Sequence, residues 1–393
     1  MILTINGGSS SIKFALYKVE GSLTQLLNGE VENIGTKNTQ FSFNNKVSQK
    51  KSCVHFKAED YNEAATVLFN WLDLQDGFDL VKAIGHRIVH GMKHTSPERI
   101  TPELLDELKQ ISGYDPEHLP EEIKLIELFQ KRYPSLTQIA CFDTSFHTSM
   151  PVVAKLLSIP RRYHEMGVQR YGFHGLSYAY LMEELERVAG TETAKSKIIL
   201  AHLGNGASLA AVKDGKSMDT SMGFTPTSGL PMGTRSGDLD PGVAWYLMKA
   251  EKLSPKEFSH LVNHESGLLG VSETSSDMRE LMEYKNTDSR AAEAIELFCY
   301  QTKKWIGAFA AVLCGLDTLV FTGGIGEHSP EIRSEICDCL EFLGIELDEI
   351  KNMNNEAVIS KEESRVIVRV IKTNEELMIA RLVNDVLKIT INS

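Results

Sequence analysis

Apolar and polar positions alternate in two similar segments of the chain, and each segment predicts a pair of strands. Residues 2–21 read as a strand, an Asn-Gly-Gly-Ser loop, a second strand and a turn. Residues 198–215 read as a strand, a Gly-Asn-Gly-Ala-Ser loop, a second strand and an Asp-Gly turn. Glycine turns between apolar runs are typical of β-hairpins. Because the two predicted hairpins lie about half the chain apart, they indicate a duplicated architecture.

Helical signals occur between and after these hairpins. A Thr-Pro-Glu start predicts a helix over about 101–113, and a Ser-Pro-Glu start predicts another over about 329–344. Residues 288–313 predict a long helix, and residues 319–324 predict a buried strand that ends in a glycine turn. Strands that alternate with helices predict an α/β fold.

Composition narrows the class of protein. The 393 residues predict two domains, and the absence of a long apolar run or a signal-peptide pattern predicts a cytoplasmic protein without a membrane partner. The net charge of −12 argues against nucleic acid as the main partner. Six scattered cysteines without metal-ligand spacing predict free thiols.

Several loops are candidate anion sites. The loop Asn6–Ser11, followed by Lys13, offers glycines, hydroxyls and amides to a phosphate, although a plain turn is the alternative. Residues 214–217 resemble the end of a Walker A loop but lack its first glycine, so they predict a hairpin turn. Residues 324–329 place a glycine turn before a predicted helix N-terminus, where an anion can bind.

The glycine-rich polar segment 219–242 is too long for a simple connection, which favours a functional loop. It contains Arg235, whose planar guanidinium suits a phosphate or a carboxylate; a surface salt bridge is the alternative. His86 and His90 are four residues apart but lack the glutamate of the HExxH zinc motif, so they predict a structural pair.

Nine motifs resemble, in order, the successive blocks of the acetate kinase family: residues 6–14, 86–91, 142–151, 170–178, 201–208, 232–242, 275–279, 321–329 and 373–377. The resemblance implies two duplicated α/β domains of the actin, sugar kinase and Hsp70 superfamily, with an interdomain active-site cleft. It implies an N-terminal domain of residues 1–144 plus 376–393, and a nucleotide-binding and dimerisation domain of residues 145–375. A homodimer is expected through this second domain.

The resemblance also implies roles for individual residues. Asn6 and Glu375 would hold Mg²⁺, for which Mn²⁺ can substitute. The implied catalytic residues are Asp143, His174, Arg235, Arg87 and His118. The carboxylate substrate would contact Arg87, Val89, Phe173 and Pro226. The implied ATP-binding residues are Lys13, Ser9, Ser11, His202, Leu203, Gly204, Asn205, Gly206, Asp277, Met278, Arg279, Gly324, Ile325, Gly326, Glu327 and His328.

These residue types suit the transfer of a phosphoryl group from ATP to a carboxylate. A carboxylate is ionised near neutral pH and needs no strong general base. Cations and hydrogen-bond donors must instead neutralise the charge of the in-line transition state. The predicted reaction converts ATP and acetate reversibly into ADP and acetyl phosphate. The alternatives are the same chemistry on propionate or butyrate, and a non-catalytic nucleotide-dependent interaction protein of the same fold.

The chain departs from the family pattern near the expected substrate site. Glu117 replaces an apolar residue beside the pocket, and Leu176 and Tyr178 replace a threonine and a histidine near His174. A carboxylate in that pocket would repel the substrate carboxylate. We therefore expect Glu117 to turn toward solvent or a cation, with acetate as the preferred substrate.

Overall fold

The structure is a computed structural model and describes residues 1–8 and 10–387. The chain divides into two units, which we call unit 1 (Met1–Ser145 with Asn374–Ser393) and unit 2 (Phe146–Thr373). The predicted domain limits, after residues 144 and 375, fall one and two residues from the limits of these units.

The strands of the described residues are β1 Ile2–Gly7, β2 Ile12–Glu20, β3 Ser22–Glu32, β4 Thr39–Asn45, β5 Lys50–Phe56, β6 Ala83–Ile88, β7 Glu98–Arg99, β8 Thr137–Phe142, β9 Ile198–Leu203, β10 Ala207–Lys213, β11 Lys216–Thr220, β12 Thr318–Thr322 and β13 Ile367–Val370.

The helices are α1 Tyr61–Leu72, α2 Pro102–Ile111, α3 Leu119–Arg132, α4 Val152–Lys155, α5 Arg161–Glu165, α6 Gly175–Ala189, α7 Thr191–Lys195, α8 Pro241–Ala250, α9 Pro255–His264, α10 Gly267–Ser272, α11 Met278–Tyr284, α12 Ser289–Val312, α13 Gly323–His328, α14 Pro330–Cys337, α15 Glu349–Met353 and α16 Glu375–Leu387. Short 3₁₀ turns occupy Phe78–Leu80, Ser112–Tyr114, Ser145–Ser149 and Glu341–Leu343.

Unit 1 is built on one sheet in the order β5-β4-β3-β2-β1-β6-β8-β7. Alternate residues of its strands, with apolar residues of α1 and α3, form one buried cluster that includes Ile84 of β6. The next residue, Gly85, lies on the opposite face of the sheet. There a Cβ would lie 2.5 Å from both Ile379 and Val383 of α16. The helices therefore cover both faces of the sheet.

Unit 2 contains the sheet β11-β10-β9-β12-β13. The strands β9 and β10 form the predicted hairpin, and β12 and β13 run parallel to β9. The strands β3-β2-β1-β6-β8 of unit 1 have the same order and the same relative directions. The duplicated architecture and the α/β class predicted from the sequence are therefore confirmed.

The start signals of the predicted helices are confirmed, but one predicted end is wrong. The side chain of Thr101 caps α2, and the long helix α12 occupies nearly the whole predicted range. The helix predicted to run toward residue 344 instead ends at Cys337, because the backbone becomes extended at Asp338 and left-handed at Cys339.

The glycine segment after β12 also differs from its prediction. It does not form a turn before a helix but forms the helix α13 itself. The carboxylate of Glu327 accepts hydrogen bonds from the Gly323 N–H (3.0 Å) and the Thr322 hydroxyl (3.2 Å). A side chain near the end of α13 thus accepts hydrogen bonds from donors at the start of the same helix.

All six cysteines are free thiols, as the sequence predicts. Burial raises the pKa of the thiols of Cys141, Cys299 and Cys337. Within residues 1–8 and 10–387, no helix combines the length and the apolar character needed to cross a membrane.

Candidate functional site

The parallel strands of unit 1 bring Arg87 and Asp143 together. Arg87 lies near the end of β6, and Asp143 follows β8 directly. Arg87 Nη2 donates to Asp143 Oδ2 at 2.8 Å, and Arg87 Nη1 donates to the Gly7 carbonyl at the end of β1 at 3.2 Å. The carboxyl ends of parallel strands are where α/β sheets bind ligands. The guanidinium is therefore fixed at the functional edge of this sheet.

A buried carboxyl group that sequence reasoning missed lies beside this pair. Glu122 is only 3% exposed, and its Oε2 accepts from the Val89 N–H at 2.8 Å. Its Oε1 lies 3.7 Å from Arg87 Nη1. Burial raises the pKa of Glu122 to about 8, although Arg87 and the Val89 N–H oppose this shift. Burial alone would lower the pKa of Arg87, but the charges of Asp143, Glu122 and Glu375 outweigh it and raise that pKa.

Asn6 and Glu375, the expected magnesium ligands, lie side by side. Asn6 Nδ2 donates to Glu375 Oε2 at 2.8 Å. The neighbouring Glu376 has a raised pKa, chiefly because of burial and then because of the Glu375 charge. No group of three or more His, Cys, Asp or Glu residues suited to a metal occurs in the described part of the chain. The amide and carboxylate oxygens of Asn6 and Glu375 nevertheless fit Mg²⁺, which keeps several waters and uses few protein ligands.

The remaining predicted residues of unit 1 have defined surroundings. His118, just before α3, is buried, and its Nδ1 lies 3.0 Å from Asp115 Oδ1. In the first glycine loop the Gly8 N–H donates to the Ser11 carbonyl at 2.8 Å. Lys13 lies on β2. The predicted ATP ligand Ser9 lies outside the described residues.

In unit 2, His174 adopts a left-handed backbone conformation with φ +57° immediately before α6. This region is uncommon for residues other than glycine, and such strain concentrates at functional sites. The Nδ1 of His174 lies 2.9 Å from the Ser208 hydroxyl, which also pairs with the hydroxyl of Tyr178. Tyr178, which departs from the family pattern, thus contacts His174 through the Ser208 hydroxyl.

A second histidine supports the first. The ring of His202 stacks on His174 with centroids 4.2 Å apart and planes 20° apart. The Nδ1 of His202 lies 2.8 Å from the Ser177 hydroxyl, which is 2.8 Å from the Thr373 hydroxyl. Both imidazoles therefore have a hydroxyl partner that fixes the ring orientation.

The glycine loop between β9 and β10 brings the predicted groups of unit 2 together. A Cβ at Gly206 would lie 3.3 Å from His174 Nε2 and 3.8 Å from Arg235 Nη1. A Cβ at Gly204 would lie 3.8 Å from the Gly324 nitrogen. A histidine, an arginine and a backbone amide therefore lie beside the two glycines of this loop. This arrangement suits a phosphoryl group, which needs donors at close range.

The long loop that carries Arg235 is held by its own backbone. The Met232 N–H donates to the Arg235 carbonyl at 3.0 Å, and the Gly233 N–H donates to the Asn205 carbonyl at 3.1 Å. Arg235 Nη1 lies 3.4 Å from the Pro226 carbonyl. The loop thus places the predicted substrate contact Pro226 beside Arg235, while Phe173 is buried next to His174.

The segments predicted for the adenosine side have mixed environments. Arg279 is exposed and pairs with Asp277, whose carboxylate also caps α11, whereas Met278 is buried. The Glu327 carboxylate accepts from the Thr373 N–H at 3.1 Å in addition to its bonds within α13. The Glu327 carboxylate is therefore occupied by hydrogen bonds within the protein. The nearby residues Gly324 and Ile325 remain as candidates for nucleotide contact.

The sheet order shared by the two units is that of the actin and sugar kinase fold, and Arg235 and His174 lie beside a glycine loop suited to a phosphoryl group. Within that fold class the chain belongs to the acetokinase family, whose model matches residues 1–381. The predicted family, fold class and enzyme class are thereby confirmed. Kinases of this kind use ATP or ADP as a substrate.

Curated relatives match nearly the whole chain. It is 42% identical over 387 residues to the acetate kinase of Rhodopseudomonas palustris strain TIE-1, with 97% of each chain covered. It is 40% identical over 401 residues to the acetate kinase of Thermotoga maritima, with 98% of each covered.

Solved structures match equally well. The acetate kinase of Porphyromonas gingivalis is 38% identical with a TM-score of 0.86, over 98% of this chain and 99% of that one. A propionate kinase from Francisella tularensis is 39% identical with a TM-score of 0.90, over 97% and 98% of the two chains.

Proposed function

We propose that this protein is an acetate kinase, which transfers a phosphoryl group reversibly from ATP to acetate and forms acetyl phosphate and ADP. The observation that carries the proposal is the position of His174 Nε2 and Arg235 Nη1 beside Gly206, which has no side chain of its own. Both groups can donate to the equatorial oxygens of a transferring phosphoryl group. Their close placement stabilises the charge that develops in the transition state.

Arg87 is proposed to bind the substrate carboxylate, and Asp143 keeps its guanidinium in place. The bonds to Asp143 and Gly7 use part of the guanidinium fork, and a carboxylate can accept from the remaining N–H groups. The attacking carboxylate is ionised at neutral pH, so Asp143 need not accept a proton. His118 is proposed as a further donor, oriented by Asp115.

The nucleotide is proposed to contact His202, Leu203, Gly204, Asn205 and Gly206, with Asp277, Met278, Arg279 and residues 324–328 on the adenosine side. Ser11 and Lys13 are proposed phosphate ligands of unit 1. Val89, Phe173 and Pro226 are proposed to contact the methyl group of acetate. Because Glu327 and Met278 face protein groups in the structure, backbone atoms supply the nucleotide contacts at these two positions.

Asn6 and Glu375 are proposed to hold Mg²⁺, which would supply charge neutralisation at the phosphates when bound. We expect Glu375→Ala to raise the metal concentration for half-maximal activity at least about tenfold, since a hard cation loses an anionic ligand. Binding of Mn²⁺, followed by electron paramagnetic resonance, should weaken in parallel. Glu376→Ala is the matched variant. A larger loss of metal affinity in Glu376→Ala than in Glu375→Ala would assign the metal to Glu376.

The second candidate function is propionate kinase, which the similarity to the Francisella tularensis enzyme favours. A hydroxamate assay for acyl phosphate, with ATP and acetate, propionate or butyrate, tests both candidates. Acetate kinase predicts the highest kcat/KM for acetate, because one surplus methylene is disfavoured by about 1–3 kcal/mol in a small pocket. A higher kcat/KM for propionate would select the second candidate. No acyl phosphate from any of the three acids would reject both.

The hydroxyl behind His174 is expected to influence turnover. When Tyr178 donates to Ser208, the serine proton points to His174 Nδ1, and the imidazole keeps its own proton on Nε2. We expect Ser208→Ala to lower kcat about five- to tenfold, the equivalent of one hydrogen bond of about 1 kcal/mol. Nitrogen-15 NMR of the imidazole should show a shift of the proton toward Nδ1. An unchanged tautomer together with an unchanged kcat would remove Ser208 from the mechanism.

A homodimer formed through unit 2 is also proposed. None of the residues of α8 and α9 is buried, although α8 carries Trp245 and Tyr246, which are 64% and 63% exposed. Exposed aromatic residues of this kind are typical of protein interfaces. Sedimentation velocity of the wild-type chain measures the oligomeric state directly, and a concentration-independent monomer would reject the proposal. We also propose the cytoplasmic location that the sequence predicts.

A further inference from the structure

Glu122 has a position that the proposed reaction does not by itself explain. Its side chain enters from α3 and reaches two different parts of the substrate-binding edge of unit 1. One oxygen accepts from the backbone N–H of Val89, and the other faces the guanidinium of Arg87. Arg87 is the proposed carboxylate ligand and Val89 a proposed contact of the methyl group. A single side chain therefore touches the groups proposed to bind both ends of acetate.

The distances distinguish Glu122 from a simple counter-ion. Arg87 donates to Asp143 at 2.8 Å, whereas its nearest approach to Glu122 is 3.7 Å. Charge-assisted bonds between arginine and carboxylate are normally about 2.7–2.9 Å long. Glu122 Oε1 makes no hydrogen bond to any described residue, although it is buried. The guanidinium is therefore bonded to Asp143 and only flanked by Glu122.

The local charges explain why this matters for an anionic substrate. The groups that face Glu122 or its guanidinium neighbour are Arg87 on β6, Asp143 after β8, Asp115 before α3, Tyr61 on α1 and Glu375 on α16. Arg87 is the one cation of this set, and Asp143 already neutralises it. A further buried negative charge at Glu122 would oppose the entry of acetate.

We propose that Glu122 is a positioning residue of the carboxylate site, which fixes the Val89 backbone, flanks the Arg87 guanidinium and acts as an uncharged carboxyl group when the substrate binds. This inference rests on the proposed function and adds a specificity element to the same site. Burial, the first cause of the raised pKa of about 8, agrees with the uncharged form at neutral pH.

The KM for acetate in two variants separates the effect of the charge of Glu122 from the effect of its shape. Glu122→Gln keeps an oxygen for the Val89 N–H and cannot ionise, so its KM for acetate at pH 7 should stay within about threefold of wild type. In the wild type, the KM for acetate should rise above pH 8, by at most about tenfold per pH unit. In Glu122→Gln this alkaline rise should be absent. Glu122→Ala should raise the KM at least about tenfold at every pH, with a smaller change in kcat.

Glu127→Gln is the matched control, because Glu127 lies on the same helix, is exposed and pairs with Lys109. It should keep the wild-type KM and its alkaline rise. The proposal would be overturned if the alkaline rise in the KM for acetate persisted unchanged in Glu122→Gln. It would also be overturned if Glu122→Gln raised this KM at pH 7 as much as Glu122→Ala does. The second result would show that the ionised carboxylate is required.

Thermal unfolding gives a readout that does not depend on turnover. The folded pKa of Glu122 is raised above that of the unfolded chain, so its contribution to stability is present in full below about pH 4.5 and is lost as pH rises through about 8. The Tm of Glu122→Gln relative to wild type should therefore increase over this range. A constant difference would contradict the uncharged carboxyl. Failure of the wild type to form acyl phosphate, with the Tm difference intact, would instead reject the proposed function alone.

Discussion

Replacement of Arg235 by alanine is expected to lower kcat at least about 10²-fold, the typical effect of removing one donor to a developing oxyanion. The structural basis is the placement of Arg235 Nη1 beside the Gly206 loop together with His174 Nε2. Because the proposed contact forms with the transferring phosphoryl group in the transition state, the KM for acetate should change less than kcat. Steady-state kinetics of the hydroxamate reaction measure both constants.

Two further variants make this result specific. Arg235→Lys should recover little of the lost turnover, since lysine cannot present a planar fork of donors. Arg290→Ala, which removes an exposed arginine of the same unit, should leave kcat unchanged. An Arg235→Ala protein that folds and turns over at close to the wild-type rate would exclude this residue from catalysis.

Replacement of Arg87 by alanine is expected to affect both activity and folding. Turnover should fall by about 10³-fold or more, the range seen when a cation that clamps the reacting groups is lost. The free energy of unfolding should also fall by about 3–5 kcal/mol, because the buried Asp143 carboxylate loses its Arg87 partner. Urea denaturation and the kinetic assay measure the two effects separately.

Arg87→Lys separates the two roles of this residue. It retains a positive charge near Asp143 and should recover much of the stability, but without the fork it should recover little turnover. Arg99→Ala, at an exposed position of the same sheet, is the control and should resemble wild type in both assays. Full activity in Arg87→Lys would show that charge alone is sufficient for binding the carboxylate.

Turn and capping residues in the sequence predicted those strands and helices whose ends depend on residues adjacent in the chain. The two hairpins depend on their glycine turns, and the start of α2 depends on Thr101 and the following proline. The end of α14 was predicted wrongly because no glycine or proline marks it. Its terminus is set by the backbone conformations at Asp338 and Cys339, which local residue preferences do not reveal.

From residue types alone, the candidate site was predictable only where a residue is unusual for its surroundings; the other candidate residues came from the family resemblance. An arginine in a glycine-rich loop stands out in the sequence, and Arg235 was found in this way. Glu122 was missed because an acidic residue in the first turn of a helix is an ordinary stabilising feature. Its burial beside Arg87 depends on the packing of α3 against β1 and β6, which a single sequence does not show.

The division of unit 1 between the two ends of the chain has a consequence for biosynthesis. Residues 146–373 leave the ribosome before α16 exists, so unit 2 can fold while one face of the first sheet still lacks the helix that lies against Gly85. Until that moment the nascent chain exposes an apolar surface that chaperones can recognise. The proposed metal ligands Asn6 and Glu375 likewise come from distant parts of the chain. The proposed metal site can therefore form only after Glu375 has been synthesised.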